Sequence, residues 1–359
     1  MKKSLLATTA LAALGAVAVA SPASAKFEVG VSGYMEQWFG YSDNKESSNA
    51  NSDSFDSLSD VEFNIDFKQT LDNGLEIGGQ IQVEGQQSNQ THVAATGNNQ
   101  IEPIDEQFIF INGSFGRLEL GTDNGAAYRM HYGVASNGIG IDEGDWTSWI
   151  PGTSSESRAT SIGAGIENDQ NKITYFSPRV SGVQIGATFI PEMDINAATP
   201  SGGGREADAT RDNAYSIAAN YNTSVDALSI MASIGYTNAG DGVGSNHDGI
   251  NAGLRIGFGG FTASFAYGEE DDDSAANDEV AIVGFGLGYK AGPAGVSIAY
   301  IRGEDSADNF KQNAIEVGAS YAMGPGVTAK GSVYYADSKT AGANTGNGVA
   351  VVGGLALSF

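Results

Sequence analysis

Cysteine is absent from the 359-residue chain. No disulfide staples it, so its stability must come from a hydrogen-bonded architecture. Basic residues are scarce: Lys plus Arg total 18 against 43 Asp plus Glu, a formal net charge of −25. A surface of that sign repels nucleic acid and anionic membranes, so neither is expected as a partner; it suits divalent cations. The only three histidines, His92, His131 and His247, fall in loops or at loop edges. A catalytic nucleophile needs a base held beside it in fixed geometry, and nothing local supplies one. No phosphate-binding fingerprint sits between a strand and a helix, and the nonapeptide repeat of calcium β-helices is missing. The chain reads as no enzyme, with no catalytic residue and no cofactor or metal site. The acidic run 269–273 has the oxygen ligands calcium prefers but lacks the spacing of a helix-loop-helix site, and reads as a solvated charge run.

Long apolar runs are missing too, with one exception at residues 5–20. Met1-Lys2-Lys3 precedes that run and Ala23-Ser24-Ala25 follows it. A basic start, an apolar stretch and an Ala-x-Ala site form the pattern of a secretory leader, here 1–25, cleaved to leave Lys26. No other stretch is continuously apolar over 18 residues, so the mature chain contains no helical span. A membrane-resident form must then be a closed barrel, the other way to satisfy every backbone group in hydrocarbon.

What is abundant is glycine, 50 residues, about twice the usual share, together with strict alternation. Val61, Phe63, Ile65 and Phe67 alternate with Glu62, Asn64, Asp66 and Lys68. The turn Leu71-Asp72-Asn73-Gly74 carries a strong hairpin signal, and Leu75, Ile77, Gly79, Ile81 and Val83 resume the pattern. Residues i and i+2 of a strand share a face, so each strand has one apolar side. The other side is rich in Gly, Ser, Ala and Gln, as a barrel lumen would be.

Seven short connections fall near 71–74, 113–116, 178–182, 222–226, 259–260, 291–295 and 323–326. Eight long polar ones alternate with them, near 42–58, 88–102, 122–170, 192–212, 238–247, 269–277, 304–309 and 338–347. Fifteen connections imply about sixteen antiparallel strands, enough to leave an aqueous channel. The expected fold is all-β: one transmembrane antiparallel barrel over 26–359 with no linker dividing it. Tyr221, Phe258, Phe261, Tyr289, Tyr321 and Phe359 fall at the short-turn ends, and Tyr236, Tyr267, Tyr300 and Tyr335 toward the loops, as two interfacial girdles would. The final residues, from Val349 to Phe359, keep one parity apolar or Gly to the last position.

That ending resembles the terminal strand of a bacterial outer-membrane barrel, whose last aromatic residue is read by the barrel assembly machinery; the resemblance makes Phe359 the assembly signal. The hairpin around Tyr175-Phe176-Ser177-Pro178-Arg179 resembles that of alphaproteobacterial general porins, as does the approach Gly116-Arg117-Leu118-Glu119-Leu120-Gly121 to a long third loop. The resemblance spans essentially the whole mature chain. It implies a water-filled, sixteen-stranded homotrimer in the outer membrane, set among lipids and lipopolysaccharide and passing small hydrophilic solutes. It also implies that the loop 122–170 folds into the barrel, with Arg129, Asp142, Glu143 and Asp145 at the constriction.

Inward parity supplies the expected lining. Acids are Glu28, Glu36, Glu62, Asp66, Glu76, Glu84, Glu119 and Glu316; bases are Lys68, Arg117, Lys172, Arg255 and Lys330. Eight against five favours mild cation selectivity. The chain lacks the dense arginine cluster that family members often carry opposite the loop. A sugar-selective channel would need an aromatic track, for which Trp38, Trp146 and Trp149 are few. A barrel-embedded hydrolase is opposed by the histidine count.

Overall fold

The computed structural model describes residues 27–44, 55–85, 104–142, 144–150, 160, 170–192, 211–241, 246–272, 278–306 and 309–359. Alternation becomes sixteen strands. The first eight are β1 (Glu28–Asn44), β2 (Phe55–Thr70), β3 (Glu76–Glu84), β4 (Ile104–Gly113), β5 (Gly116–Thr122), β6 (Asn171–Phe176), β7 (Val183–Glu192) and β8 (Arg211–Val225). The second eight are β9 (Leu228–Asp241), β10 (Asn246–Phe258), β11 (Phe261–Asp272), β12 (Asp278–Ala291), β13 (Ala294–Asp305), β14 (Phe310–Gly324), β15 (Val327–Thr340) and β16 (Ala343–Ser358). Each pairs antiparallel with its sequence neighbours, and β1 pairs with β16 to close the barrel. No edge strand is left unpaired. Among the described residues no helix is long and apolar enough to cross a membrane; the strands do so.

Closure runs from Tyr34↔Ser358 to Asn44↔Gly348. On β1 this pairing begins only at Tyr34, offset from the start of the strand at Glu28. The offset follows from the stagger that closing a tilted sheet requires, which leaves the start of β1 paired with β2 alone. Gly33 and Phe359 finish the seam with reciprocal backbone bonds of 3.0 and 3.1 Å.

One parity is apolar and exposed all the way round: Val29, Val31, Met35 and Phe39 on β1, Ile298 on β13, Val317 on β14, Val351 and Leu355 on β16. A continuous apolar belt of this size suits hydrocarbon, not water. The other parity is polar and largely covered, as Glu36, Ser233, Ser264, Ser297 and Ser332 show. Aromatic pairs mark both rims. Phe261 meets Tyr289 at 4.5 Å between ring centroids and Phe27 meets Phe67 at 6.0 Å near the short turns. Tyr215 meets Tyr236 at 6.2 Å near the loops.

All seven short connections lie where expected. One expected long loop does not exist: β15 and β16 continue through most of 338–347 and are joined by Ala341-Gly342 alone. Both turn residues have positive φ, 49° and 84°, the conformation whose twist matches paired strands. Polar composition hid this hairpin, because at a rim beyond hydrocarbon both faces of a strand meet water.

Candidate functional site

Strand β5 hands the chain to the long connection that begins at Asp123. Its described part carries a short helix α1 (Ala126–Arg129) and a single 3-10 turn (Asp145–Ser148). This segment lies against the polar parity of strands from β6 round to β1. Small residues permit the approach: Ala126, Ala127 and Met130 pack with Phe176 and Ala218. Glycines on the strands leave the necessary room. A Cβ on Gly235 would stand 2.8 Å from the Ala127 Cβ, and one on Gly286 2.5 Å from the Ala135 carbonyl oxygen. Further along, Val134, Ile139, Ile141, Trp146, Trp149 and Ile150 form an apolar core with Trp38, Ile282, Ile301 and Tyr334.

An irregular segment must find partners for its backbone groups. Here the strands supply them. The amides of Tyr132, Ala135, Asn137 and Ile139 donate to the hydroxyls of Ser233, Ser264, Ser297 and Ser332 at 2.9, 2.9, 2.7 and 2.8 Å. These serines stand on β9, β11, β13 and β15, one on every second strand. The carbonyls of Ala127 and Gly133 accept from Asn251 Nδ2 at 3.0 Å and Arg255 Nε at 2.7 Å. Glu316, fully buried on β14, accepts from Ser136 Oγ at 2.6 Å, Ser332 Oγ at 2.5 Å and the Gly140 amide at 3.1 Å.

The charged residues singled out in the sequence separate into groups. Arg117 and Arg129 converge on Glu119, Arg117 through Nε at 2.5 Å. Arg129 also reaches Asp123 at 2.7 Å and lies over the Phe176 ring at 4.8 Å. Burial would lower the pKa of Arg129, but Asp123 and Glu119 more than offset it and hold the guanidinium above the ordinary arginine range. Asp142 turns inward on its own segment, accepting from the Val134 amide at 2.7 Å and Thr160 Oγ1 at 2.6 Å. It thus braces the stretch whose Gly133 carbonyl Arg255 holds. On β2, Asp66 accepts from Gln80 at 2.9 Å, Glu62 from Asn64 at 3.0 Å, and Lys68 lies 3.8 Å from Glu76. Glu84 is half-buried at the end of β3, among the acids surrounding Tyr34. Lys330 reaches 4.0 Å to Glu36 across β16. A cavity of about 370 Å³ opens between the segment and the strands, lined by Glu36, His131, Asp142, Asp145, Arg255 and Lys330 among others. Glu143 lies outside the described residues.

The chain thus forms a closed sixteen-stranded barrel, apolar outside and polar on its other parity. A family model described as Gram-negative porin matches residues 7–341. The chain belongs to the Gram-negative porin family. Among solved structures, an anion-selective porin from Comamonas acidovorans shares 16% identity at a TM-score of 0.64, covering 93% of this chain and 100% of that one. A loop-deletion mutant of OmpT, an outer membrane protein of Vibrio cholerae, shares 10% identity at a TM-score of 0.62, covering 93% and 99%. A mutant of the Rh. blastica porin shares 15% at 0.56, covering 92% and 100%. At these identities the likeness is one of fold. No curated protein matches the chain.

Within this outer-membrane porin, sequence reasoning missed the serine ladder and the glycine clearances. Both left a signal, since more than half of the inward positions of the later strands are Ser, Gly, Ala or Asn. Glu316 was placed on the inward parity but not among the site residues. Its three donors come from stretches 136–140 and 332, which no local pattern connects to it.

Proposed function

We propose that this porin is a water-filled channel for passive diffusion of ions and small hydrophilic solutes, mildly cation-selective, and narrowed by the connection 122–170. The observation that carries the reading is the attachment of residues 126–150 to the polar parity of a closed barrel, through backbone bonds to Ser233, Ser264, Ser297 and Ser332. In this reading Arg129, Asp142, Glu143 and Asp145 belong to the constriction. Glu62, Asp66, Lys68, Glu84, Arg117, Glu119, Arg255 and Lys330 line the wall. The leader 1–25 is removed, the barrel works as a homotrimer among outer-membrane lipids and lipopolysaccharide, and Phe359 is read by the assembly machinery.

Cation preference is supported by how the charges pair. Arg117 and Arg129 are matched by Glu119 and Asp123, while Glu36, Asp60, Glu62, Asp66 and Glu84 crowd β1 to β3. The Comamonas porin is named as anion-selective; at 16% identity the likeness is one of fold and does not carry that preference to this chain. Exposed unit charges interact by about 1 kcal/mol at 4 Å in water, so several acids bias permeation a few-fold. A sugar-selective track is disfavoured because Trp38, Trp146 and Trp149 are all buried in packing, at 0%, 0% and 5% exposure. Reversal potentials across a planar bilayer in a KCl gradient test the reading. Cation preference at 0.1 M that fades toward 1 M, as the Debye length falls from about 10 to 3 Å, is expected. Anion preference at low salt would overturn it.

A further inference from the structure

One arginine stands apart from the cluster around Glu119. Arg179 lies in the short turn between β6 and β7, at the end of the Tyr175–Arg179 motif, and is exposed. The chain carries 43 acids, yet among the described residues Arg179 meets no carboxylate. It gives its donors to three neutral oxygens instead: Nη1 to the Gly182 carbonyl at 2.7 Å, and Nη2 to Gln184 Oε1 and Asn220 Oδ1 at 2.8 Å each. The turn fixes where it points. Ser181 and Gly182 have positive φ, 50° and 89°, and Val180 and Val183 exchange backbone bonds of 2.9 Å. Gln184 Nε2 donates to the Ser177 carbonyl at 3.0 Å and ties down the base of the turn.

Two of those oxygens belong to side chains in register. Gln184 on β7 stands opposite Asn220 on β8, and Asn220 opposite Ser233 on β9. Asn220 is buried. Its Nδ2 donates to the Met130 carbonyl at 3.3 Å, while Ser233 Oγ accepts from the Tyr132 amide at 2.9 Å. Met130 caps the C-terminal end of α1, and its own amide donates to the Ala126 carbonyl at 3.0 Å. Neighbouring wall positions thus hold alternate residues of the segment, directly after Arg129. A guanidinium can only donate and a carbonyl can only accept. Asn220 serves both only with Oδ1 toward Arg179 and Nδ2 toward Met130. Arg179 therefore sets the orientation of the amide, and no other donor among the described residues holds Oδ1 in place.

We propose that Arg179 is a positioning residue for the constriction: from the short-turn rim it orients Asn220, and Asn220 pins the end of α1 and with it Arg129. The guanidinium bonds no atom of the segment itself, so its effect passes through Asn220. The first link has a charged donor and is the shorter, 2.8 Å against 3.3 Å for the second. The weaker bond to Met130 is thus held in line by the stronger one behind it. This inference rests on the reading that the connection narrows the channel; the fixing of α1 does not.

The test uses full-length porin in detergent. It follows amide hydrogen exchange at residues 130–132, with single-channel currents from the same preparations. Arg179→Ala should speed that exchange roughly tenfold, as the loss of one hydrogen-bonded latch allows. Asn220→Ala should do the same, and R179A/N220A no more than either alone, because the two act in series. Asn220→Asp separates the latch from the turn, and stands in if Arg179→Ala fails to fold. It keeps an acceptor for Arg179, so the Ser177 amide, bonded to the Ile185 carbonyl at 2.8 Å, should stay as protected as in wild type. It offers Met130 no donor, so residues 130–132 should be released as in Asn220→Ala. Arg179→Lys still donates and should return exchange to within about threefold of wild type. Asp72→Ala, in another short turn, should match wild type. Unchanged exchange in Arg179→Ala or Asn220→Asp, or additive effects in the double variant, would overturn the proposal. Faster exchange should come with noisier current and a shifted mean conductance. If exchange rises while the current stays as in wild type, the latch stands and the narrowing of the channel by this segment falls.

Discussion

Glu316 on β14 and Ser136 in the connection after β5 are 180 positions apart in sequence and joined by a 2.6 Å hydrogen bond. The carboxylate also takes bonds from Ser332 and the Gly140 amide, so one buried acid secures the stretch 136–140 to two adjacent strands.

Glu316→Ala should strand those donors, at roughly 1–3 kcal/mol each where water does not replace the oxygen. The barrel has its own ladder and should remain assembled. The expected phenotype is noisier single-channel current and a shifted mean conductance, with Glu316→Gln intermediate. Quiet channels of wild-type conductance in the alanine variant would show that this anchor does not hold the segment.

Gly318 faces the same stretch. A Cβ there would stand 2.6 Å from the Gly138 Cα and 2.5 Å from its nitrogen, both backbone atoms that yield only if the segment moves. Gly318→Ala should therefore alter conductance while leaving the heat-dissociation temperature of the barrel close to wild type. Gly30→Ala, where a Cβ meets nothing within 4 Å, is the control. Identical currents in both variants would mean that the segment is not held at this distance when the channel conducts.

His131 hydrogen-bonds Thr160 Oγ1 at 3.0 Å and is held neutral. Burial pushes its pKa from 6.5 down to about 4, with Asp142 pulling the other way and Arg255 reinforcing the fall. As pH drops through 6.5 the unfolded residue takes up a proton and the folded one does not until about 4. The stabilisation is complete above pH 6.5 and is lost as pH falls toward 4, by at most about 3 kcal/mol. Urea denaturation between pH 7 and 4 should show this slope, and His131→Gln should flatten it. The same slope in both proteins would assign the acid sensitivity to other groups.

Phe359 closes the seam through its backbone bonds to Gly33, and its ring lies 5.8 Å from that of Phe63. Deleting it removes those bonds and an outward aromatic at the short-turn rim. Heat-modifiable protein in the outer membrane should fall several-fold, whereas the conductance of what does assemble should stay near wild type. Unchanged assembly would show that the seam from Tyr34 to Asn44 suffices alone.

The sixteen strands, their inside and outside, and the alternation of turns with loops were legible in the sequence. Period-2 alternation and turn residues such as Asn73-Gly74 act within a few positions, so no distant contact has to be known. The hairpin at Ala341-Gly342 escaped because its flanks rise above the apolar belt, where alternation lapses. The site is another matter. The segment from Asp123 to Ile150 has almost no regular structure and therefore no period to read. The sequence marks Asp142 only as an acid of the long connection; that it accepts from Val134 and Thr160 is visible in the fold alone. Which serine meets which amide, and which glycine must stay small, depends on where an irregular chain lies against strands more than a hundred residues away. The pairing of Asn220 with Ser233 depends on register in the same way. Sequence determined the barrel because its rules are local and repeated; only the tertiary structure decided what the barrel holds, because those contacts are long-range and each occurs once.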